Sequence, residues 1–564
     1  MQQRITINLN TDSKTTDKTT ILEYCRSHGI AGIETPCGGK GTCGKCKVTV
    51  TKPYYKDVLA CQTKICHGME IIVGRKESTG AGTVGQDIQT ASNAVNSIDK
   101  EDSMVVLTNG GNVSEKFNEH VNEHVNRNVV LKEETANESE KVESNEDTLA
   151  ACDIGTTTVV CYLIDKETGQ IISTRSGANP QRSFGADVLS RIDAAARADD
   201  NDKANGGLQM MQTQIVSLLN GWISEMLTEC GRTKVCRFSV AGNTVMCHLL
   251  MGISPEKLGK APFMPDEYFG REFNPLDIGL ENCQIMIIFP VVSGFVGGDI
   301  TAGMMETVNC NELTLYLDIG TNGEMALGKG DRYVCCATAA GPAFEGAQIE
   351  LGMPASKGAV DKVWLEGRRI KYSVIGNDRP VGLCGSGLID ALAVLLKAGI
   401  IDENGTILSG QELPILFRSY VFEVEAEETA QSTESSLAVH IAPGVYITQD
   451  DIRKLQLAKG AIAAGIEVLF KEYGCKPCDV DILTFAGGFG NYIDKASAAA
   501  IGLFPQELLD KAKEVGNAAG NGAVSAALSQ EAWERALEIS GNMRYIELAS
   551  YPHFDEMYVE HMNF

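Results

Sequence analysis

Three cysteines and four glycines crowd the stretch PCGGKGTCGKC, from Pro36 to Cys46. Cys37, Cys43 and Cys46 are spaced C-x5-C-x2-C, and Cys61 follows in VLACQ. Four thiolates so arranged hold either zinc or a [2Fe–2S] cluster. Zinc ribbons usually carry two C-x2-C knuckles. Here the second half is the single Cys61, with Cys66 as the fallback fourth ligand. Gly38, Gly39, Gly41 and Gly44 let the backbone fold tightly and turn its N–H groups inward. The anionic sulfurs of a cluster use such donors, whereas tetrahedral zinc has less need of them. The pattern therefore predicts an iron–sulfur nest, with Cys61 favoured because LACQ sets it beside a strand end.

A second chemistry begins a hundred residues on. In ACDIGTTTVV a strand ends at Asp153, turns at Gly155 and exposes the hydroxyls of Thr156, Thr157 and Thr158. Backbone N–H groups and hydroxyls at such a turn hold phosphate oxygens, while Asp153 faces a magnesium ion through water. LDIGTNGEMALG repeats the device with Asp318, Gly320, Thr321 and Asn322. In TFAGGFGNYI a strand ends at Gly487–Gly488, where bare backbone can lie against an adenosine. Asp299 in SGFVGGDITAG either orients an attacking water or caps the following helix, and Glu345 in AGPAFEG carries the same two readings. The loop GLCGSGLIDAL at Gly382 offers an anion or domain-closure contact. Lys459 either approaches a nucleotide or, as is commoner, is solvated. Cys475 and Cys478 have redox spacing but no thioredoxin-like setting, so they read as structural.

These residues need elements to carry them. RITINLN, KCKVTV and MEIIV read as strands, and TTILEYCRSHGI as an amphipathic helix burying Ile21, Leu22, Cys25 and Ile30. Residues 1–75 form this cysteine-bearing unit. Residues 76–147 hold fifteen Asp/Glu against six Lys/Arg and one aromatic, Phe117, which predicts a flexible acidic linker. In it, His120 and His124 lie one helical turn apart and read as a solvated repeat. From residue 148 the chain reads as α/β. The two Asp-Ile-Gly-Thr copies predict two related lobes, 148–309 and 310–564. A Thr448…Asp451 capping box should open a helix of about five turns.

The 564 residues exceed what one core serves. A formal charge of −25 disfavours nucleic acid and anionic membrane as partners. The N-terminus reads as a strand and not a signal peptide, and the apolar run from Ile285 is interrupted by Pro290 and too short to span a bilayer. A cytoplasmic location is expected, with the eighteen cysteines reduced. Those in apolar runs, such as Cys161, should be buried.

The first 75 residues resemble the ferredoxin β-grasp fold, although Cys61 follows Cys46 more closely than in plant-type ferredoxins. Residues 148–564 resemble the two-lobed actin-like (RNase H-like) ATPases, which include sugar kinases, acetate kinase and the heat-shock seventy chaperones. Together the halves resemble the ATP-dependent reductive activators of corrinoid proteins. NPQRSFGADVLSRI, AGNTVMCHLLMGI, CCATAAGPAFEGAQIELGMPA and YPHFDEMYVEHMNF carry that likeness across nearly the whole chain outside the linker. The resemblance implies a [2Fe–2S] cluster, ATP and Mg2+ as cofactors. It also implies a corrinoid protein and an external low-potential electron donor as partners, and a homodimer. Asp153, Asp299 and Asp318 would serve catalysis. Two other readings stay open: a nucleotide-responsive redox sensor, and an activator ATPase of another low-potential enzyme.

Overall fold

The structure is a computed structural model. It describes residues 5–9, 20–27, 33, 46–52, 56–65, 69–73, 147–196, 206–320, 322–424, 436–487 and 492–564. Residues 76–146 of the acidic segment, with His120 and His124, lie outside the described residues, as do Cys37, Cys43, Cys66, Thr321 and Gly488.

In the N-terminal unit, strands β1 (Ile5–Leu9), β2 (Lys47–Lys52), β3 (Lys56–Leu59) and β4 (Met69–Val73) form an antiparallel sheet in the order β1-β4-β2-β3. Helix α1 (Ile21–Ser27) packs on it through Ile21, Leu22 and Cys25, which meet Val48, Val50 and Ile71 in one core. Thr20 and Glu23 cap this helix reciprocally.

The remainder repeats one sheet plan twice. The first lobe contains β5 (Thr148–Ile154), β6 (Thr158–Asp165), β7 (Ile171–Ala178), β8 (Val235–Gly242), β9 (Arg271–Phe273) and β10 (Cys283–Ile288), in the order β7-β6-β5-β8-β10-β9. Strands β5, β8 and β10 run parallel, and β6 and β7 are a hairpin extension. Helices α2 (Val188–Ala196), α3 (Gly207–Glu229) and α4 (Thr244–Met251) cover one face. Helix α5 (Gly298–Thr307) leads into the second lobe.

There β11 (Thr314–Ile319), β12 (Gly323–Lys329) and β13 (Arg332–Thr338) reproduce the opening hairpins. Two small three-stranded sheets are inserted next. One holds β14 (Ala359–Glu366), β15 (Arg369–Val374) and β16 (Gly382–Leu383), followed by α6 (Gly385–Lys397). The other holds β17 (Val421–Val424), β18 (Ser436–Ala442) and β19 (Val445–Thr448). Helix α7 (Gln449–Tyr473) then starts at the expected capping box, with Thr448 and Asp451 each accepting the other's backbone N–H. The chain returns through β20 (Ile482–Ala486), α8 (Lys495–Ala500), β21 (Ala512–Glu514), α9 (Ala518–Leu528), α10 (Gln530–Gly541), β22 (Met543–Tyr545) and α11 (Phe554–Glu560). The second large sheet is ordered β21-β20-β11-β12-β13-β22.

A shared core joins the lobes. It unites Ala151 and Tyr162 of the first sheet with Tyr316 and Ala486 of the second, around α5, α9 and α10. Helices α5 and α9 touch through small residues, and a Cβ on Gly522 would stand 2.2 Å from the Ala302 carbonyl. Among the described residues no helix is long and apolar enough to cross a membrane.

Candidate functional site

Antiparallel pairing matches Lys47 with Leu59, so Cys46 and Cys61 flank the same end of the β2–β3 ladder. Their sulfurs are 3.1 Å apart, Cys46 is buried and Cys61 partly so. The Ala60 N–H donates to the Cys46 carbonyl at 2.9 Å and fixes the pair. Two thiols converging at a core edge suit a shared soft metal.

The turns at Gly155 and Gly320 lie at equivalent places in the two large sheets. In the first, the Gly155 N–H donates to the Thr158 carbonyl at 3.0 Å, and a Cβ on Gly155 would lie 2.7 Å from that oxygen. Only glycine fits so close a turn. Asn179 donates from its backbone to the Thr157 carbonyl and from its side chain to the Gly155 carbonyl, both at 2.8 Å. Asn243 donates to the Thr156 hydroxyl at 2.9 Å and caps α4 by accepting the Met246 N–H. In the second turn the Gly320 N–H donates to the Asn322 carbonyl at 3.0 Å. Glu345 stands beside this turn, with Oε1 3.8 Å from where a Gly320 Cβ would sit.

Carboxylates gather between the turns. Burial and the neighbouring Asp318 raise Asp153 to about 7. Burial, then Asp318 and Asp153, raise Asp299 to about 8. Burial raises Asp318 to about 6. All three still open partly onto the cleft. Asp299 occupies the first turn of α5, where Gly297 holds the cap position, and it accepts the Ile300 N–H at 3.0 Å. The cap position belongs to Gly297, yet the Asp299 carboxylate still satisfies one of the helix's first N–H groups. Gly487, with φ of 81°, closes over Asp318: a Cβ there would meet Oδ1 at 2.4 Å.

Two members of this cluster were missed from the sequence. Glu324 is opposite Asp318 in the hairpin register and so on the same sheet face, and burial with Asp299 and Asp318 pushes its carboxyl well up. Counting residues across the tight Gly320 turn would have found it. Asn517, the N-cap of α9, hydrogen-bonds the Asp153 carboxylate and reaches toward the Tyr162 hydroxyl at 3.5 Å. It sits in NAAGNG, whose small residues let α9 approach α5. Among the described residues no three His, Cys, Asp or Glu side chains converge closely enough to ligate a metal directly.

Other expectations resolve differently. Lys459 is neither solvated nor at the cleft; it is buried in α7, donating to the Asn563 carbonyl and facing the Phe564 ring at 5.4 Å. The Gly382 loop is a packing device: a Cβ on Gly382 or Gly387 would meet the Leu351 or Val360 carbonyl at 2.4 or 2.2 Å. Cys475 packs partly buried against the second-lobe core, and Cys478 is exposed; both are free thiols.

Comparison with known proteins gives three family matches. The 2Fe-2S iron-sulfur cluster binding domain matches residues 7–66, the RACo middle region 149–309, and the C-terminal domain of RACo, the ASKHA domain, 312–564. The corrinoid activation enzyme RamQ of Eubacterium limosum is 33% identical over 581 residues, covering 96% of this chain and 95% of its own length. The chain belongs to the RACo family. Another relative of this RACo-family chain is the [Co(II) methylated amine-specific corrinoid protein] reductase of Methanosarcina barkeri, 26% identical over 63% of this chain and 65% of its own. A solved reductive activator for corrinoid, iron-sulfur protein has 29% identity and a TM-score of 0.63 over 97% of this chain and 96% of its own.

Proposed function

We propose that this protein restores cobalt(I) in a corrinoid protein by passing one electron to cobalt(II), at the expense of ATP. The observation that carries the proposal is the presence in one chain of a ferredoxin-type thiol pair and a two-turn cleft crowded with carboxylates. Cys37, Cys43, Cys46 and Cys61 would hold the [2Fe–2S] cluster, which supplies one-electron transfer when bound. Asp153, Gly155 and Thr156 to Thr158 would face the nucleotide from one lobe. Asp318, Gly320, Thr321 and Asn322 would face it from the other, with Gly487–Gly488 against the adenosine. The crowded carboxylates repel one another and favour a divalent cation. Mg2+ held through water and nucleotide oxygens answers that need without direct ligation.

Plant-type clusters lie near roughly −400 mV, and about 59 mV is a tenfold change in a one-electron equilibrium. A donor several such steps too weak needs coupling to a second equilibrium. Nucleotide supplies it by binding two lobe arrangements with different affinity. The acidic segment would serve as a tether carrying the cluster between an external low-potential donor and the docked corrinoid protein. A cytoplasmic homodimer fits this role.

The test mixes reduced protein with a cobalt(II) corrinoid protein under anaerobic conditions and follows visible spectra with and without MgATP. A cobalt(I) band only with nucleotide is expected. Equal reduction without nucleotide would refute ATP coupling, and a preparation carrying zinc at the thiols would refute electron transfer.

A further inference from the structure

Arg191 on α2 is fully buried, and among the described residues its only nearby carboxylate, Asp187, acts on it at longer range, against the like charge of Arg182. Its guanidinium donates to the Gly185 carbonyl at 3.0 Å, to the Met246 sulfur at 3.1 Å, and to the Thr156 carbonyl. None of those acceptors carries a full negative charge. Burial lowers the group to about 9, which still leaves it protonated at neutral pH. A desolvated cation whose one carboxylate neighbour is not hydrogen-bonded to it is costly, and an anion beside the turn would complete it.

The acceptor at Thr156 shows where that anion lies. The peptide joining Thr156 to Thr157 is planar and trans, so its C=O and N–H point in opposite directions. Arg191 takes the C=O. Among the described residues the N–H groups of Thr156 and Thr157 donate to no protein acceptor. A guanidinium on the carbonyl polarises the peptide and strengthens its N–H as a donor on the far side. Asn179 and Asn243 hold the same turn but bring no charge.

We propose that Arg191 is a positioning residue for the nucleotide phosphates, acting through the Thr156–Thr157 peptide to favour the more highly charged triphosphate over the diphosphate. This rests on the ATP reading of the cleft. Removing the charge takes away the polarisation and the positive potential, effects that grow with the number of phosphate charges. A charge-assisted hydrogen bond of this kind corresponds to roughly a tenfold or greater change in affinity.

The test compares R191K, which keeps the charge, with R191Q, which keeps an N–H donor without it. Calorimetry on the full chain measures the dissociation constants of MgATP and MgADP, and thermal midpoints establish folding. R191Q should lose about tenfold in its preference for MgATP over MgADP, with R191K nearer the parent. An R191Q preference equal to or above that of R191K would overturn the proposal, because a merely structural bond is better served by the amide. If R191Q does not fold, R191K decides alone: a preference within about threefold of the parent supports the charge role, and a larger loss overturns it. A parent protein that binds neither nucleotide would instead defeat the ATP reading.

Discussion

Replacing Asp318 by Asn should stabilise the nucleotide-free protein while disabling it. The Asp318 carboxyl is raised from 3.8 to about 6 by its burial at the end of β11, and it raises Asp153, Asp299 and Glu324 in turn. A native value above the unfolded one means that ionisation destabilises the fold. The penalty is absent below the unfolded value of 3.8, grows as pH rises, and is complete above about 6. At about 1.4 kcal/mol per unit, this corresponds to at most ~3 kcal/mol. The carboxylate opens partly onto the cleft, so solvent screening reduces the figure to ~1–2 kcal/mol. Denaturant unfolding of the nucleotide-free Asp318→Asn variant should thus show a gain of that order near pH 8, shrinking toward zero near pH 4. The same variant should lose much of the rise in midpoint that MgATP gives the parent, because the carboxylate that all the others face is gone. Equal or lower stability of the variant near pH 8 would refute the claim that the carboxylates strain the empty cleft.

Further outcomes follow from the same geometry. Cys46→Ser should abolish the cluster's visible absorbance while leaving MgATP affinity unchanged within about twofold; linked losses would contradict separate cluster and nucleotide sites. Asn243→Ala removes both the α4 cap and the bond to the Thr156 hydroxyl. It should cost ~1–2 kcal/mol in unfolding and also weaken MgATP, and unchanged MgATP binding would argue that the first turn does not touch phosphate. With Asp153 at about 7 and Asp299 at about 8, the empty cleft holds protons near neutrality. A divalent cation favours the ionised forms, so MgATP binding near pH 7 should release on the order of one proton. Titrations in buffers of different ionisation enthalpy read this directly, and a binding heat independent of buffer would count against it.

Much of the architecture was legible because it is written locally. The Gly155 turn, the α7 capping box and the duplicated Asp-Ile-Gly-Thr strands depend on residues within a few positions of each other. The structure sets the two copies at the same point of two like-ordered sheets. Lys459 misled because a lysine between Ala458 and Gly460 looks like a solvated helix face, and residues distant in the chain, the C-terminal ones among them, bury it. Arg191, Asn179 and Asn243 gave no local sign of their task. Each reaches the first turn from 24 to 87 residues away in the chain.

By itself the sequence determined which groups could do chemistry: the thiol spacing, the two glycine turns, and the acids at their strand ends. Tertiary structure alone decided which of them meet. Sheet register put Glu324 opposite Asp318, and the close passage of α9 along α5 brought Asn517 to Asp153. Chain order specifies side-chain type and local dihedral preference. Mutual repulsion, desolvation and shifted protonation exist only where distant strands are packed within a few ångströms of one another.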